Sequence, residues 1–112
     1  MTANYTINHE IMKNILSIDT SVPGQVKISL NAGKEISIVS KQEHGSQVLL
    51  NLIEKVLKKG GIKMEDLHGI KVATGPGSFT GLRVGVSVAN ALGFALGITV
   101  NGKKMETELK YS

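Results

Sequence analysis

The sequence predicts one α/β domain in which a mixed β-sheet supports two main helices. Three observations lead to this fold class. Apolar and polar residues alternate between residues 15 and 40, with two interruptions by turn-forming residues, as in three consecutive antiparallel strands. An apolar stripe at helical spacing occupies residues 46–59, and an unbroken run of apolar and small residues extends to residue 97. Short strand-like runs flank that second helix.

Three strands open the domain. The first covers residues 15–18 and ends at an Asp-Thr-Ser sequence, which favours a turn. The second and third, residues 25–30 and 35–40, alternate apolar and polar side chains and are joined by an Asn-Ala-Gly-Lys hairpin turn.

The first helix is predicted over residues 46–59. Apolar residues recur on one side at helical spacing, among them Leu49, Leu52 and Val56. A Gly-Gly pair follows, and glycine is the residue that most often ends a helix.

A glycine-rich turn connects the fourth strand to the second helix. Residues 69–74 resemble a buried strand, and Gly75, Pro76 and Gly77 come next. Ser78 and Thr80 can each cap the helix, because their hydroxyls can accept hydrogen bonds from amides of the first turn.

Two hypotheses account for this turn. In the first it binds an anion or nucleotide, since free amides and the positive end of the helix dipole point outward there. In the second the glycines only permit a sharp bend. The glycine spacing matches neither a Walker loop nor a dinucleotide fingerprint. The candidate anion or nucleotide residues are Asp19, Thr20, Ser21, Gly75, Gly77 and Ser78.

Small residues recur at every fourth position of the second helix. Gly81, Gly85, Ala89 and Gly93 share one side of it, which we call the glycine ridge. Each interior glycine costs about 1 kcal/mol relative to alanine, so close approach by another element is expected to offset the cost. That element is either the domain's own sheet or first helix, or a second chain.

Composition limits the class of protein. The 112 residues allow one domain at most, and the absence of cysteine excludes disulfides and thiolate chemistry. A net charge of +4 with a single arginine is weak evidence for direct nucleic-acid binding. A membrane span is not predicted, because Arg83 and Asn90 interrupt the second helix, which is also shorter than the ~20 residues that a bilayer requires.

The elements suggest a domain organisation and a topology. Residues 1–11 are expected to be a flexible leader or tag, residues 12–101 the domain, and residues 102–112 a polar tail. Three strands followed by helix, strand, helix and strand form the ribonuclease H-like topology, which is the half-unit of actin-like folds.

No residue is identified as catalytic. His9, His44 and His68 lack the spacing of a helical metal pair, and no metal site is predicted. Asp19 is the best single carboxylate, but no second carboxylate accompanies it. Ser78 lacks the sequence context of a nucleophile elbow.

Two stretches resemble one protein family. Residues 15–21 (ILSIDTS) and 75–85 (GPGSFTGLRVG) are similar to the signatures of the TsaB proteins, formerly YeaZ, and the resemblance covers about residues 12–100. It implies a bacterial, cytoplasmic protein with an actin-like fold that serves as a non-catalytic partner of TsaD. With the ATPase TsaE, that pair installs threonylcarbamoyl on the tRNA adenosine beside the anticodon.

The resemblance also implies where a partner binds. In the family, two helices contact TsaD, or a second TsaB in a homodimer. Carried onto this chain, the expected interface consists of Gly81, Gly85, Ala89, Gly93, Leu49, Leu52 and Val56. TsaE and tRNA would be indirect partners. No cofactor is expected on this chain, because ATP and the metal belong to the partner subunits and only His44 falls in the region that matches TsaD's metal-binding histidine pair.

The chain departs from the family in one respect that keeps other functions open. TsaB proteins usually have a second, similar half, and residues 102–112 do not resemble its beginning, so either a cut piece or a naturally minimal TsaB is expected. One alternative function is a self-associating homodimer. The other is a nucleotide-binding, phosphotransferase-like fragment, although the turn after Asp19 lacks the glycine of actin-like phosphate loops.

Overall fold

The computed structural model describes residues 13–41 and 45–109. It confirms the α/β fold class and the predicted order of strands and helices. A short 3-10 helix precedes the fourth strand. In chain order the elements are β1 Ile15–Asp19, β2 Val26–Asn31, β3 Glu35–Ser40, α1 Ser46–Gly60, the 3-10 helix Met64–Asp66, β4 Gly69–Val72, α2 Phe79–Leu96 and β5 Thr99–Val100.

The sheet is mixed, as predicted. Its five strands lie in the order β3-β2-β1-β4-β5. β1 pairs antiparallel with β2 and parallel with β4, so that Leu16 lies between Leu30 and Ile70. The remaining pairs are antiparallel β2–β3 and parallel β4–β5. The first strand is therefore the centre of the sheet.

Both helices pack on one face of the sheet. α1 contacts β2 and β3, α2 contacts β1, β4 and β5, and the helices also contact each other. Burying one aliphatic side chain contributes about 1.5–3 kcal/mol, which makes this layer the main source of stability. Its fully or nearly fully buried members include Leu16, Ile18, Ile28, Leu30, Ile70 and Val100 from the strands and Leu49, Ile53, Val56 and Leu82 from the helices.

The helix ends follow the sequence signals. Gly61, at φ 70°, ends α1, and the amide of Ile62 donates to the carbonyl of Leu57 at 3.2 Å. α2 ends in the same way at Gly97, at φ 68°. These left-handed positions suit glycine, because a side chain would strain the backbone there. At the other end of α2, the Ser78 hydroxyl accepts from the amide of Gly81 at 3.3 Å, so Ser78 is the cap and Thr80, the other candidate, is not.

One described helix, α2, is long and apolar enough by length and composition to cross a membrane. Its buried residues, including Leu82 and Ala89, pack against the sheet. A single helix of this length and composition is weak evidence for a membrane span, because the core helix of a soluble protein passes the same test.

The segment after β5 differs from the prediction of a polar tail outside the domain. Glu106 is only 5% exposed. Its carboxylate accepts hydrogen bonds from the Asn101 side chain at 2.8 Å, from Lys103 Nζ at 3.1 Å and from the amides of Thr107 and Glu108, both at 3.1 Å. The side-chain hydrogen bond from Asn101 is the main reason why the pKa of Glu106 falls from 4.5 to about 2.

Two asparagines connect this segment to the domain. The Asn90 side chain on α2 donates to the Glu106 carbonyl and accepts from the Glu106 amide, both at 2.8 Å. The Asn101 side chain accepts from the Val72 amide at 2.9 Å and donates to the Val72 carbonyl at 3.0 Å. Residues 102–109 therefore belong to the folded unit. The predicted leader, residues 1–11, lies outside the described residues, as do residues 110–112.

Candidate functional site: the loop junction and the helix crease

The loops after β1 and β4 meet, as the anion-site hypothesis requires. The Ser78 amide donates to the Ser21 carbonyl at 2.9 Å, and the Ala73 amide donates to the Ile18 carbonyl at 2.9 Å. Gly77 lies so close to Ser21 that a Cβ atom would overlap the Ser21 carbonyl. We call this region, residues 19–21 with residues 75–78, the loop junction. Gly77 therefore allows the loop after β4 to come close to the loop after β1.

The polar groups of the loop junction bond to one another. One oxygen of Asp19 accepts from both the amide and the hydroxyl of Ser21, at 2.9 and 2.6 Å. The Thr20 hydroxyl, which is fully buried, donates to the Gly81 carbonyl at 2.5 Å. Because the Ser78 hydroxyl caps α2, the side chains named as anion ligands already have structural partners. This arrangement favours the hypothesis of a sharp bend.

The glycine ridge faces the sheet of its own chain, so the prediction that it forms a partner interface is wrong. A Cβ at Gly85 would overlap the Thr20 hydroxyl on the loop that follows β1. A Cβ at Gly93 would lie 2.7 Å from Val100 Cγ2 and 3.1 Å from the Ile98 carbonyl. The other two ridge residues, Gly81 and Ala89, are buried as well. The close approach that offsets the glycine cost is therefore made within the domain.

The prediction that three α1 residues belong to the partner interface is also wrong. Leu49 and Val56 are fully buried and Leu52 is 9% exposed, and all three belong to the hydrophobic core. The physical reason is that the apolar stripe of α1 is the surface that covers β2 and β3. No partner can reach these side chains without opening the domain.

A different surface of the two helices is open. A shallow depression of about 310 Å³ lies between α1 and α2. Its lining carries no charged side chain and combines small residues with leucine and valine. We call it the helix crease, and it is lined by Ser46, Leu50, Ser87, Val88, Ala91 and Leu92.

The signal for the helix crease was present in the sequence. Ser87, Ala91 and Ala95 form a second row of small residues at every fourth position of α2, and all three are exposed. The glycine ridge has the same period with smaller residues, so it is the stronger of the two patterns in the sequence. Period alone shows which residues share a side of a helix but not which side meets the sheet.

His68, the histidine among the described residues, forms a hydrogen bond within the domain. His68 Nδ1 accepts from the Asn14 amide at 2.9 Å. Within residues 13–41 and 45–109, no group of three His, Asp or Glu side chains could hold a metal ion. His9 and His44 lie outside the described residues. The expectations of no metal and no catalytic residue stay predictions.

Comparison with known proteins identifies the family. The family model described as "TsaD: tRNA N6-adenosine threonylcarbamoyltransferase" matches residues 37–102, which include both helices and the loop after β4. A TsaB, named a tRNA threonylcarbamoyladenosine biosynthesis protein, from Buchnera aphidicola is 35% identical over 91 residues, covering 79% of this chain and 42% of that protein. A tRNA N6-adenosine threonylcarbamoyltransferase from Geotalea uraniireducens is 31% identical over 81 residues, covering 72% of this chain and 23% of that protein.

The solved structure of YeaZ from Pseudomonas aeruginosa has the same fold. It superposes with a TM-score of 0.73 at 30% identity, covering 80% of this chain and 42% of that chain. The chain thus spans less than half the length of these relatives. By its family model the chain belongs to the TsaD family, tRNA N6-adenosine threonylcarbamoyltransferase, and in sequence and fold it is TsaB/YeaZ-like.

Proposed function

We propose that this chain is a non-catalytic subunit of the machinery that forms threonylcarbamoyladenosine on tRNA. It binds a TsaD-type transferase through the helix crease. The family match supports the pathway. The single observation that carries the binding surface is the uncharged depression between the two contacting helices, open to solvent on the side away from the sheet.

The chemistry of the crease suits a helix of the partner. Small side chains at Ser46, Ser87 and Ala91 allow a partner backbone to come close, while Leu50 and Leu92 are half-buried and supply apolar surface. Each Å² of apolar surface removed from water contributes about 25 cal/mol. A stable interface buries roughly 800 Å² on each partner, so the flanking exposed residues of both helices would contribute as well.

The alternative of a nucleotide-binding fragment has less support. Its key groups, the Asp19 carboxylate and the Thr20 hydroxyl, are used within the loop junction. In the proposed assembly, ATP and metal are bound by the partner subunits, and TsaE and tRNA contact this chain only through the complex. A cytoplasmic location is part of the same proposal.

The test is co-purification of this chain with TsaD from the same organism, followed by threonylcarbamoylation with TsaE, tRNA, ATP and the threonylcarbamoyl donor. Complex formation with restored modification is the expected result. Ala91→Arg should weaken binding to TsaD by about tenfold or more, because it places a charge in an uncharged interface. Asn51→Arg, on an exposed part of α1 outside the crease, is the matched control and should bind normally.

Two outcomes contradict the proposal. A stable homodimer that ignores TsaD would assign the crease to self-association. Calorimetric binding of an adenine nucleotide to the isolated chain, with or without magnesium, would favour the phosphotransferase-like alternative.

A further inference from the structure

Both phenylalanines of the chain lie on the surface of α2. Phe79 is 53% exposed and Phe94 is 89% exposed. At about 100° per residue, Phe94 lies roughly 60° from Phe79 around the helix axis, so both rings are on the outer side of α2. The core is built from aliphatic side chains instead. Phenylalanine is normally one of the most buried residue types, so contact with a partner would stabilise this surface.

An apolar groove lies beside Phe94, and we call it the Phe94 groove. It has a volume of about 460 Å³, and its apolar lining comes mainly from Phe94, Ile98 and Met105. Met105 is itself 54% exposed. Three polar side chains also line the groove, and one of them, Asn90, already bonds to the backbone of Glu106. Because several apolar side chains meet here, the groove differs from a single exposed residue and marks a site of interaction.

The neighbouring edge of the sheet is already closed to a further strand. The Val100 amide donates to the Lys103 carbonyl at 2.7 Å, and the Lys103 amide donates to the Val100 carbonyl at 3.0 Å. On the other side of β5 the chain pairs with β4, and the Asn101 amide donates to the Ile70 carbonyl at 2.8 Å. The outward backbone groups of Val100 are therefore used, and the Phe94 groove suits an inserted side chain rather than an added strand.

Arg83 lies one helical turn from Phe79 on the same surface. Its guanidinium carbon is 5.3 Å from the centre of the Phe79 ring, which is a cation–π contact. Arg83 is exposed and is the charged residue of α2. The ion pairs in the described part of the chain involve Lys103, so Arg83 pairs with no described carboxylate. The ring limits the freedom of the guanidinium, whose N–H donors stay available for a planar, bidentate bond to a carboxylate.

We propose that the TsaD-type partner places an apolar side chain in the Phe94 groove and a carboxylate on Arg83. This inference rests on the proposed function and identifies the contacts that decide which partner binds. At about 1.5 Å per residue, Arg83 and Phe94 are about 16 Å apart along α2, so the partner presents its two groups at that spacing. Ser87 and Ala91, which line the helix crease, fall between them on the helix. One partner surface therefore covers the crease and both anchors.

Area and charge both favour this occupant. A stable interface buries roughly 800 Å² on each partner, and the two anchors extend the contact beyond the shallow crease along most of α2. α2 of a second copy of this chain carries no carboxylate, so it cannot form the bond to Arg83. Phenylalanine, methionine and arginine are also enriched in protein interfaces relative to the rest of the surface.

The experiment measures the Kd of the complex between the whole chain and TsaD from the same organism by isothermal titration calorimetry. Phe94→Ala should raise the Kd by about tenfold, while Phe94→Leu, which keeps an apolar side chain, should stay within about threefold. Arg83→Glu should raise the Kd by about tenfold or more, and this loss should shrink as salt is added, because ions screen charge pairs. Lys55→Glu, the same change of charge on an exposed part of α1 outside the crease and the groove, is the matched control. All three positions are exposed, so thermal unfolding should change little.

Different outcomes separate this inference from the proposed function. If Phe94→Ala or Arg83→Glu binds TsaD like the natural sequence while Ala91→Arg still weakens binding, the crease stands and the inference is overturned. It is also overturned if Lys55→Glu weakens binding as much as Arg83→Glu, or if the variants disrupt only a homodimer. If the natural sequence does not bind TsaD at all, the proposed function and this inference are both wrong.

Discussion

Thr20 and Gly85 are in direct contact at the junction between β1 and α2. The Thr20 hydroxyl fills the space that a Cβ at position 85 would need, and it donates its proton to the Gly81 carbonyl one turn earlier in the helix. This contact fixes the distance between the central strand and the helix. It also explains why α2 tolerates glycine in its interior, where helix propensity disfavours it.

Gly85→Ala should therefore lower the free energy of unfolding by about 2 kcal/mol, because overpacking outweighs the gain in helix propensity. Urea denaturation measures the change. Ser87→Ala, at an exposed position of the same helix, is the control and should change stability by less than ~0.5 kcal/mol. Combining Gly85→Ala with Thr20→Ala should cost less than the sum of the two single changes, since the second removes the overlapping hydroxyl. Strict additivity would show that this contact does not limit the packing.

Glu106→Gln should destabilise the domain by about 2 kcal/mol at pH 7. A neutral amide is a weaker acceptor for Lys103 and brings an extra donor to a site that already supplies several. Thermal unfolding of the natural sequence and the variant measures this difference. Glu108→Gln, at an exposed position, is the matched control.

The effect of Glu106 should depend on pH. Its pKa in the folded state, about 2, is below the ordinary value of 4.5, so the folded state favours the charged form. The contribution of the charged Glu106 side chain to the stability of the folded state is therefore complete above pH ~4.5, and it is lost as the pH falls from there toward 2. The stability difference between the natural sequence and Glu106→Gln should shrink over that range. A difference that stays constant down to pH ~2 would contradict this account.

Asn101 combines two roles that substitutions can separate. It has a positive φ of 54°, and its side chain bonds to both backbone groups of Val72 and to Glu106. Asn101→Gly removes the hydrogen bonds but suits the backbone, and it should cost about 2 kcal/mol. Asn101→Ala adds the strain of a left-handed conformation and should cost about 1 kcal/mol more. If the two variants lost the same stability, the left-handed backbone of residue 101 would contribute nothing to the cost of Asn101→Ala.

Ser78→Ala should cost about 1 kcal/mol of stability, because the first turn of α2 loses its cap. Ser78→Asp keeps an acceptor at the cap and should recover most of the loss. Chemical denaturation gives both values. If inorganic phosphate raised the melting temperature of the natural sequence but not of Ser78→Ala, Ser78 would instead be an anion ligand.

The sequence by itself determined the local structure and the family. Period-two alternation defined β2 and β3, the glycines at 61 and 97 stopped the helices, and Ser78 and Thr80 marked the start of α2 to within two residues. These signals are local, because each depends on backbone conformation or on side chains a few residues apart. Residues 75–85 were distinctive enough to indicate the family without any knowledge of contacts.

Only the tertiary structure decided which surfaces are buried. Both sides of α2 are apolar or small, so the sequence could not show that Gly85 meets Thr20 while Ala91 is left open. The burial of Glu106 could not be predicted either, because its partner on α2 is Asn90, 16 residues away. A polar residue is stable in the interior only where other groups supply its hydrogen bonds, and folding alone brings the Asn90 side chain to the backbone of Glu106.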